Sequence, residues 1–142
     1  MRSIDQLVVH CAATKPSMDI GAAEIDRWHR DRGWSGIGYH YVIRRSGVIE
    51  KGRPNELPGA HVAGHNANTL GICLVGGIDD EGMPEANFTP EQMNSLRELL
   101  ESLQHEYEVY DHDIIGNRDF PNTGKACPSF DVQTWWTTGG IK

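Results

Sequence analysis

Basic charge is scarce in this chain: 13 Lys and Arg stand against 20 Asp and Glu, a formal net charge of −7 with neutral histidine. No segment gathers Lys and Arg into a run. The chain therefore lacks the clustered cationic footprint that neutralises phosphates, which excludes nucleic acid as a partner. Long hydrophobic runs are also missing. None approaches the roughly 18 residues that a membrane span requires, so no span is expected. The opening residues, Met1-Arg2-Ser3-Ile4-Asp5-Gln6, hold neither an apolar core nor a small-residue cleavage site, and no export signal is read there. Cysteine is sparse, and three thiols are an odd number for a disulfide framework. Repeats, low-complexity tracts and linkers are absent as well. The 142 residues suffice for one domain, 1–142, built on a single core.

What is present alternates between strand and helix patterns. Residues 6–10 read as a buried strand, and Asp19 to Arg30 as a helix with Ile25 and Trp28 on one face. Gly33-Trp34-Ser35-Gly36-Ile37-Gly38 breaks that helix. Tyr39 to Arg45, a turn at Ser46-Gly47 and Val48 to Lys51 give a hairpin signal. Residues 52–69 form a long irregular loop, a kind of segment that in a small domain usually carries function. Leu70 to Val75 is a second buried strand. Thr89 as N-cap, Pro90 in the first turn and Gln92 completing a capping box open the clearest helix, followed by Met93, Leu96, Leu99, Leu100, Leu103 and Tyr107 at helical period. Asp113 to Gly116 is a short strand, and a last helix begins near Ser129 and carries Trp135 and Trp136. The expected fold is α/β: a central mixed β-sheet flanked by helices.

Chemistry concentrates in a few polar residues. His10 closes an apolar run, at the strand end where open sheets place functional groups. Cys11 and Cys73 lie inside apolar runs and read as buried structural thiols. Cys127 differs. It sits in a polar loop between Lys125 and Pro128, where a neighbouring cation favours the thiolate. Imidazole and thiolate are both good zinc donors, and a catalytic zinc takes three protein ligands plus water. The third donor is sought just before Cys127, where Asn117 stands. Lys125 and Cys127, two apart, project to one side of an extended segment about 6.5 Å from each other. Lys125 is thereby able to stabilise an oxyanion, and Tyr39 to hydrogen-bond the same oxyanion or a bound water. His61, in the long loop, is a candidate substrate contact. His40 reads as a packed, hydrogen-bonded residue facing away from Tyr39. His29 and His105 read as surface or boundary residues, and His65 as a loop contact or a surface residue. His112 lies five residues before Asn117, about 16 Å along an extended chain, and is out of reach as a replacement ligand.

Several blocks occur in order: Val9-His10-Cys11-Ala12-Ala13-Thr14-Lys15-Pro16-Ser17, Trp28-His29, Gly33-Trp34, Gly38-Tyr39-His40-Tyr41, Gly71-Ile72-Cys73-Leu74-Val75-Gly76-Gly77, Asn87-Phe88-Thr89-Pro90 and Lys125-Ala126-Cys127-Pro128-Ser129-Phe130-Asp131. Together they resemble phage endolysins of the N-acetylmuramoyl-L-alanine amidase type 2 family, which is related to peptidoglycan recognition proteins. The resemblance covers nearly the whole chain. It implies hydrolysis of the amide between N-acetylmuramic acid and L-alanine in peptidoglycan. It implies zinc (Zn2+) held by His10, Cys127 and a histidine at the Asn117 position, with Tyr39 and Lys125 as the catalytic pair. It also implies a protein that accumulates in the host cytoplasm until lysis and then acts on the periplasmic cell wall, with a holin giving access; a monomer is the default expectation. Many members read Gly-His-Arg-Asp where this chain reads Gly116-Asn117-Arg118-Asp119. A carboxamide is a weaker zinc donor than imidazole, so impaired turnover is expected. The alternative is a catalytically inactive peptidoglycan-binding module.

Overall fold

The computed structural model describes residues 2–120 and 126–140. Five strands form one sheet: β1 (Gln6–Cys11), β2 (Tyr41–Ile43), β3 (Ile49–Lys51), β4 (Thr69–Leu74) and β5 (Ile114–Gly116), in the order β3-β2-β4-β1-β5. The pairs β1/β4, β1/β5 and β2/β4 are parallel, and β2/β3 is antiparallel. The expected mixed sheet is present. Parallel neighbours need crossovers, and helices on both faces supply the cover.

Side chains alternate across each strand and divide the core in two. Leu7, Val9, Leu70, Ile72, Leu74, Ile43 and Ile114 meet α2 (Pro90–Tyr107) and α3 (Val132–Thr138) through Leu96, Leu100, Leu103, Val132, Trp135 and Trp136, with Phe130 just before α3 in the same cluster. Val42, Cys73 and Val75 face the other way, toward Ile25 of α1 (Ala22–Asp31) and Ile37. Val8, Ile115, Val62 and Phe120 continue that second face under the long loop. Cys11 and Cys73 are both buried, as their apolar settings require.

The helix starts follow their caps. Thr89 accepts from the Gln92 backbone N–H at 3.0 Å while the Gln92 carboxamide oxygen accepts from Thr89 N–H at 3.0 Å, the reciprocal box that the sequence announces. Gln92 then donates to the carbonyls of Ile43 and Val75, joining α2 to two strand ends. The α1 helix begins at Ala22 rather than Asp19, because Gly21 N–H binds the Glu24 carboxylate and Ala22 N–H binds Glu50. Similarly α3 begins at Val132, since Asp131 caps it by accepting from Thr134 N–H. The β2 strand proper starts at Tyr41, two residues later than the hydrophobic pattern suggests.

Candidate active site

Parallel pairing sets the site. Val9 pairs with Gly116, so His10 and Asn117 leave adjacent strands at one level, at the carboxyl ends where α/β sheets bind ligands. Cys127 is carried to the same place by two contacts. Arg118 N–H donates to the Cys127 carbonyl at 2.8 Å, and Cys11 N–H donates to Cys127 Sγ at 3.1 Å. His10, Asn117, Cys127, Tyr39 and His61 all line one cavity of about 290 Å³, completed by α1 and the Ala12–Ala13 turn. The sequence-derived residues thus converge, with one exception: Lys125 lies outside the described residues. A larger cavity of about 420 Å³, lined by Arg2, Lys51, Glu56, Glu106 and Tyr107 among others, holds no thiol or imidazole.

Rings form the cavity wall. The His10 and Tyr39 ring centroids are 5.0 Å apart, and those of His10 and His61 are 4.9 Å apart and edge-on. On the far side Tyr39 meets His29 at 5.6 Å, and His29 meets Trp34 at 4.6 Å. His29 is a correction to the sequence reading: it is buried, not a surface or boundary residue. Its position four after Ile25 puts it on the inner stripe of α1, and its Nδ1 accepts from Gly38 N–H at 2.9 Å. Trp28 and Arg32, on the same helix, also reach the cavity. The 3.6-residue period through Ile25, which placed Trp28 on the inner face, was the available signal for His29 and Arg32 as well. For His29 it was overridden by the charged residues around it.

The remaining histidines sort cleanly. His40 is fully buried, accepting from Gly71 N–H at Nδ1 and donating from Nε2 to the Leu57 carbonyl. His65 is exposed and packs on the Phe120 ring. His105 is exposed. His112 is exposed, beside Asp113 and stacked on Tyr110, and it does not line the cavity.

Electrostatics keep the described site largely neutral. Burial raises the Tyr39 hydroxyl well above its ordinary pKa, with the three nearby thiols adding to the effect. Tyr39 therefore stands on the cavity wall as a protonated hydroxyl. Burial lowers His61 to about 3, helped by His40, Arg2 and Arg53, and it lowers His29 as well. The hydrogen bond with Cys11, and then burial, push the Cys127 thiol up. The thiolate expected from the sequence depends on Lys125, outside the described residues.

The donor set can be tested against zinc, which takes nitrogen and sulfur ligands. His10 and Cys127 are of that kind and border one cavity. The third place holds Asn117, buried at 5 % exposure, whose carboxamide suits zinc poorly. Among the described residues no three His, Cys, Asp or Glu side chains gather as metal ligands. Two positions fit the ion and the third fits it in place but weakly in kind.

The comparisons with known proteins agree with this geometry. Residues 1–130 match the N-acetylmuramoyl-L-alanine amidase family. The endolysin of Escherichia phage T7 is 48% identical over 134 residues, covering 94% of this chain and 86% of the relative. Among solved structures, the N-acetylmuramoyl-L-alanine amidase LysC from Clostridium intestinale URNW aligns with a TM-score of 0.76 at 33% identity, over 89% of this chain and 77% of that one. PGRP-SA of Apis mellifera shares the fold, with a TM-score of 0.76 at 20% identity over 97% and 84% of the two chains. With the match running from before β1 through Cys127 and Phe130, this chain belongs to the N-acetylmuramoyl-L-alanine amidase family.

Proposed function

We propose that this protein is a peptidoglycan amidase of the phage endolysin type, cleaving the bond between N-acetylmuramic acid and L-alanine, with turnover held low by Asn117. The observation that carries the reading is the meeting of His10, Cys127, Asn117 and Tyr39 on one cavity at the strand ends, in a chain that matches the amidase family over 1–130.

Zinc is the cofactor of this reading, held by His10 and Cys127 with Asn117 at the third place. When bound, it lowers the pKa of a coordinated water to about 7 and polarises the scissile carbonyl. The chain's own groups do the rest. Tyr39, kept protonated by burial, donates a hydrogen bond to the oxygen that gains charge as water adds to the carbonyl. Lys125 is assigned the same oxyanion, on which a cation lowers the barrier most. The amide C–N bond then breaks, the acyl carbon keeps the water's oxygen as a carboxylate-forming group, and the L-alanine nitrogen takes the proton that the water gave up and leaves as a primary amine. Trp28, Ile25 and the Ala12–Ala13 turn give the cavity an apolar wall against which the lactyl-peptide segment packs. His61 shares this cavity, but both of its ring nitrogens are engaged within the protein.

Substrate access follows the endolysin reading: the monomer is held in the host until a holin opens the way to the wall. No helix among the described residues is long and apolar enough to cross a membrane.

Asn117 favours a second reading, a module that binds peptidoglycan without cutting it. One experiment separates the two. Turbidity loss of outer-membrane-permeabilised cells is measured for this chain and for Asn117→His, with zinc content determined in parallel. The expected result is low activity and substoichiometric zinc in the first, and a rise of about a hundredfold with near-stoichiometric zinc in the second. That factor is an order of magnitude set by restoring a full ligand, which should reach at least the top of the 10–100-fold effect of outer-shell partners. Equal activity in both would sink the impairment. No activity in either would leave the binding module.

A further inference from the structure

A chain of hydrogen bonds behind His10 has only one consistent arrangement of protons. The Thr69 hydroxyl donates to the His65 carbonyl at 2.8 Å, and that carbonyl can only accept. A hydroxyl has one proton to give. Thr69 Oγ1, 3.1 Å from His61 Nε2, must therefore accept there, so His61 carries its proton on Nε2. The neutral His61 ring then presents a lone pair at Nδ1. His10 Nε2 lies 2.8 Å from that nitrogen, and it must supply the proton between them.

The surroundings are built to hold the His61 ring in this place. A Cβ on Gly71 of β4 would lie 2.6–2.8 Å from three ring atoms of His61, and one on Gly59 would lie 2.6 Å from the same ring. Both positions need glycine for this close approach. The backbone on either side is pinned too, because the Asn66 side-chain oxygen accepts from the N–H groups of His61 and Val62 at 3.0 Å each.

We propose that His61 is a positioning residue for His10, fixing its imidazole as the Nε2–H tautomer and leaving Nδ1 as the nitrogen that offers a lone pair. Metal-ligating histidines depend on such a partner at the second nitrogen to set tautomer and ring orientation. Here the partner is another histidine, oriented in turn by Thr69. The consequence for catalysis rests on the amidase reading, whereas the tautomer itself does not.

The test uses the full chain with 15N-labelled histidine, free of metal, at pH 7. Long-range 1H–15N correlation spectra report which nitrogen of His10 carries the proton. The expected pattern is Nε2–H for both His10 and His61, and a Nδ1–H His10 overturns the proposal. Gly71→Ala deletes no polar group but displaces the His61 ring, and it should turn His10 into a mixture of tautomers. A His10 signal unchanged in folded Gly71→Ala overturns it equally. If that variant does not fold, His61→Leu serves, with His61→Asn as the conservative rescue because its oxygen replaces the lost acceptor. In the Asn117→His background, His61→Leu should weaken zinc at least about tenfold by competition with a chelating dye, and His61→Asn less. Unchanged affinity in His61→Leu counts against the proposal. A chain inactive even with Asn117→His, yet holding the Nε2–H tautomer, sinks the amidase reading and leaves this one standing.

Discussion

The two faces of the sheet are assembled by different rules. On the α2/α3 face, strand residues meet Leu96, Leu100, Leu103, Phe130 and the two tryptophans in a core of apolar side chains. On the α1 and long-loop face, four histidines (His10, His29, His40 and His61) stand among fewer apolar residues, connected ring to ring. Burying polar groups costs free energy unless every one is paired. No buried side-chain nitrogen or oxygen among the described residues lacks a hydrogen-bond partner. One face therefore supplies stability by volume and the other holds chemistry in place by hydrogen bonds. The lesson is that a site made of buried, hydrogen-bonded histidines needs a strong apolar layer behind it.

The largest effect expected from this division is on the apolar face. Leu100 is completely buried, and Leu100→Ala should cost about 3 kcal/mol through lost burial and a residual cavity. Urea unfolding followed by tryptophan fluorescence measures the loss. The His10 tautomer in the molecules that remain folded should not change. A variant that lost little stability but altered His10 would break the comparison, because it would mean that the two faces are not separable.

The apolar face was the more legible of the two in the sequence. The stripe from Met93 to Tyr107, its Thr89–Gln92 box and the buried strands follow from period and cap alone. The site was legible only in part. His10, Tyr39, Asn117 and Cys127 stood out by position and by family resemblance, and the cavity joins them. What stayed hidden was pairing between distant residues. Nothing local says that His61, 51 residues from His10, ends 2.8 Å from it, or that Gly71 is glycine to make room for a ring. His29 was lost for a different reason. Arg27, Arg30 and Asp26 around it gave the segment a surface look, although the helical period places it inside.

The site face should also respond to pH where the apolar face does not. Burial lowers His40 to about 4, and the neighbouring Arg2, Lys51 and Arg53 push the same way. Its folded pKa is below the unfolded value near 6.5, so the neutral form is the one that folding favours. The stabilisation is complete above pH 6.5. It declines as pH falls toward 4, since the unfolded chain takes up a proton that the folded chain refuses. One such histidine accounts for roughly 2 kcal/mol between pH 7 and pH 5, and His61 acts with the same sign. Urea midpoints at the two pH values measure it. His40→Asn, which keeps an acceptor for Gly71 N–H but cannot titrate, should be less stable at pH 7 and show a flatter profile. An equally steep profile would remove His40 from the account.

The smallest effect sharpens the contrast most, because it concerns a polar group on the apolar face. Gln92 is as buried as His40 and is likewise fully bonded, to Ile43, Val75, Thr89 and Arg45. Its amide does not change charge in this pH range. Thr89→Ala removes the hydroxyl that accepts from Gln92 N–H and donates to the Arg45 carbonyl at 2.7 Å. The cost should be about 1 kcal/mol, the usual value of a lost cap. The same cost should appear at pH 7 and at pH 5, since neither threonine nor glutamine titrates there. A penalty that grew at pH 5 would tie the helix cap to the histidine face, and the division between the two halves of the core would then be one of composition but not of energetics.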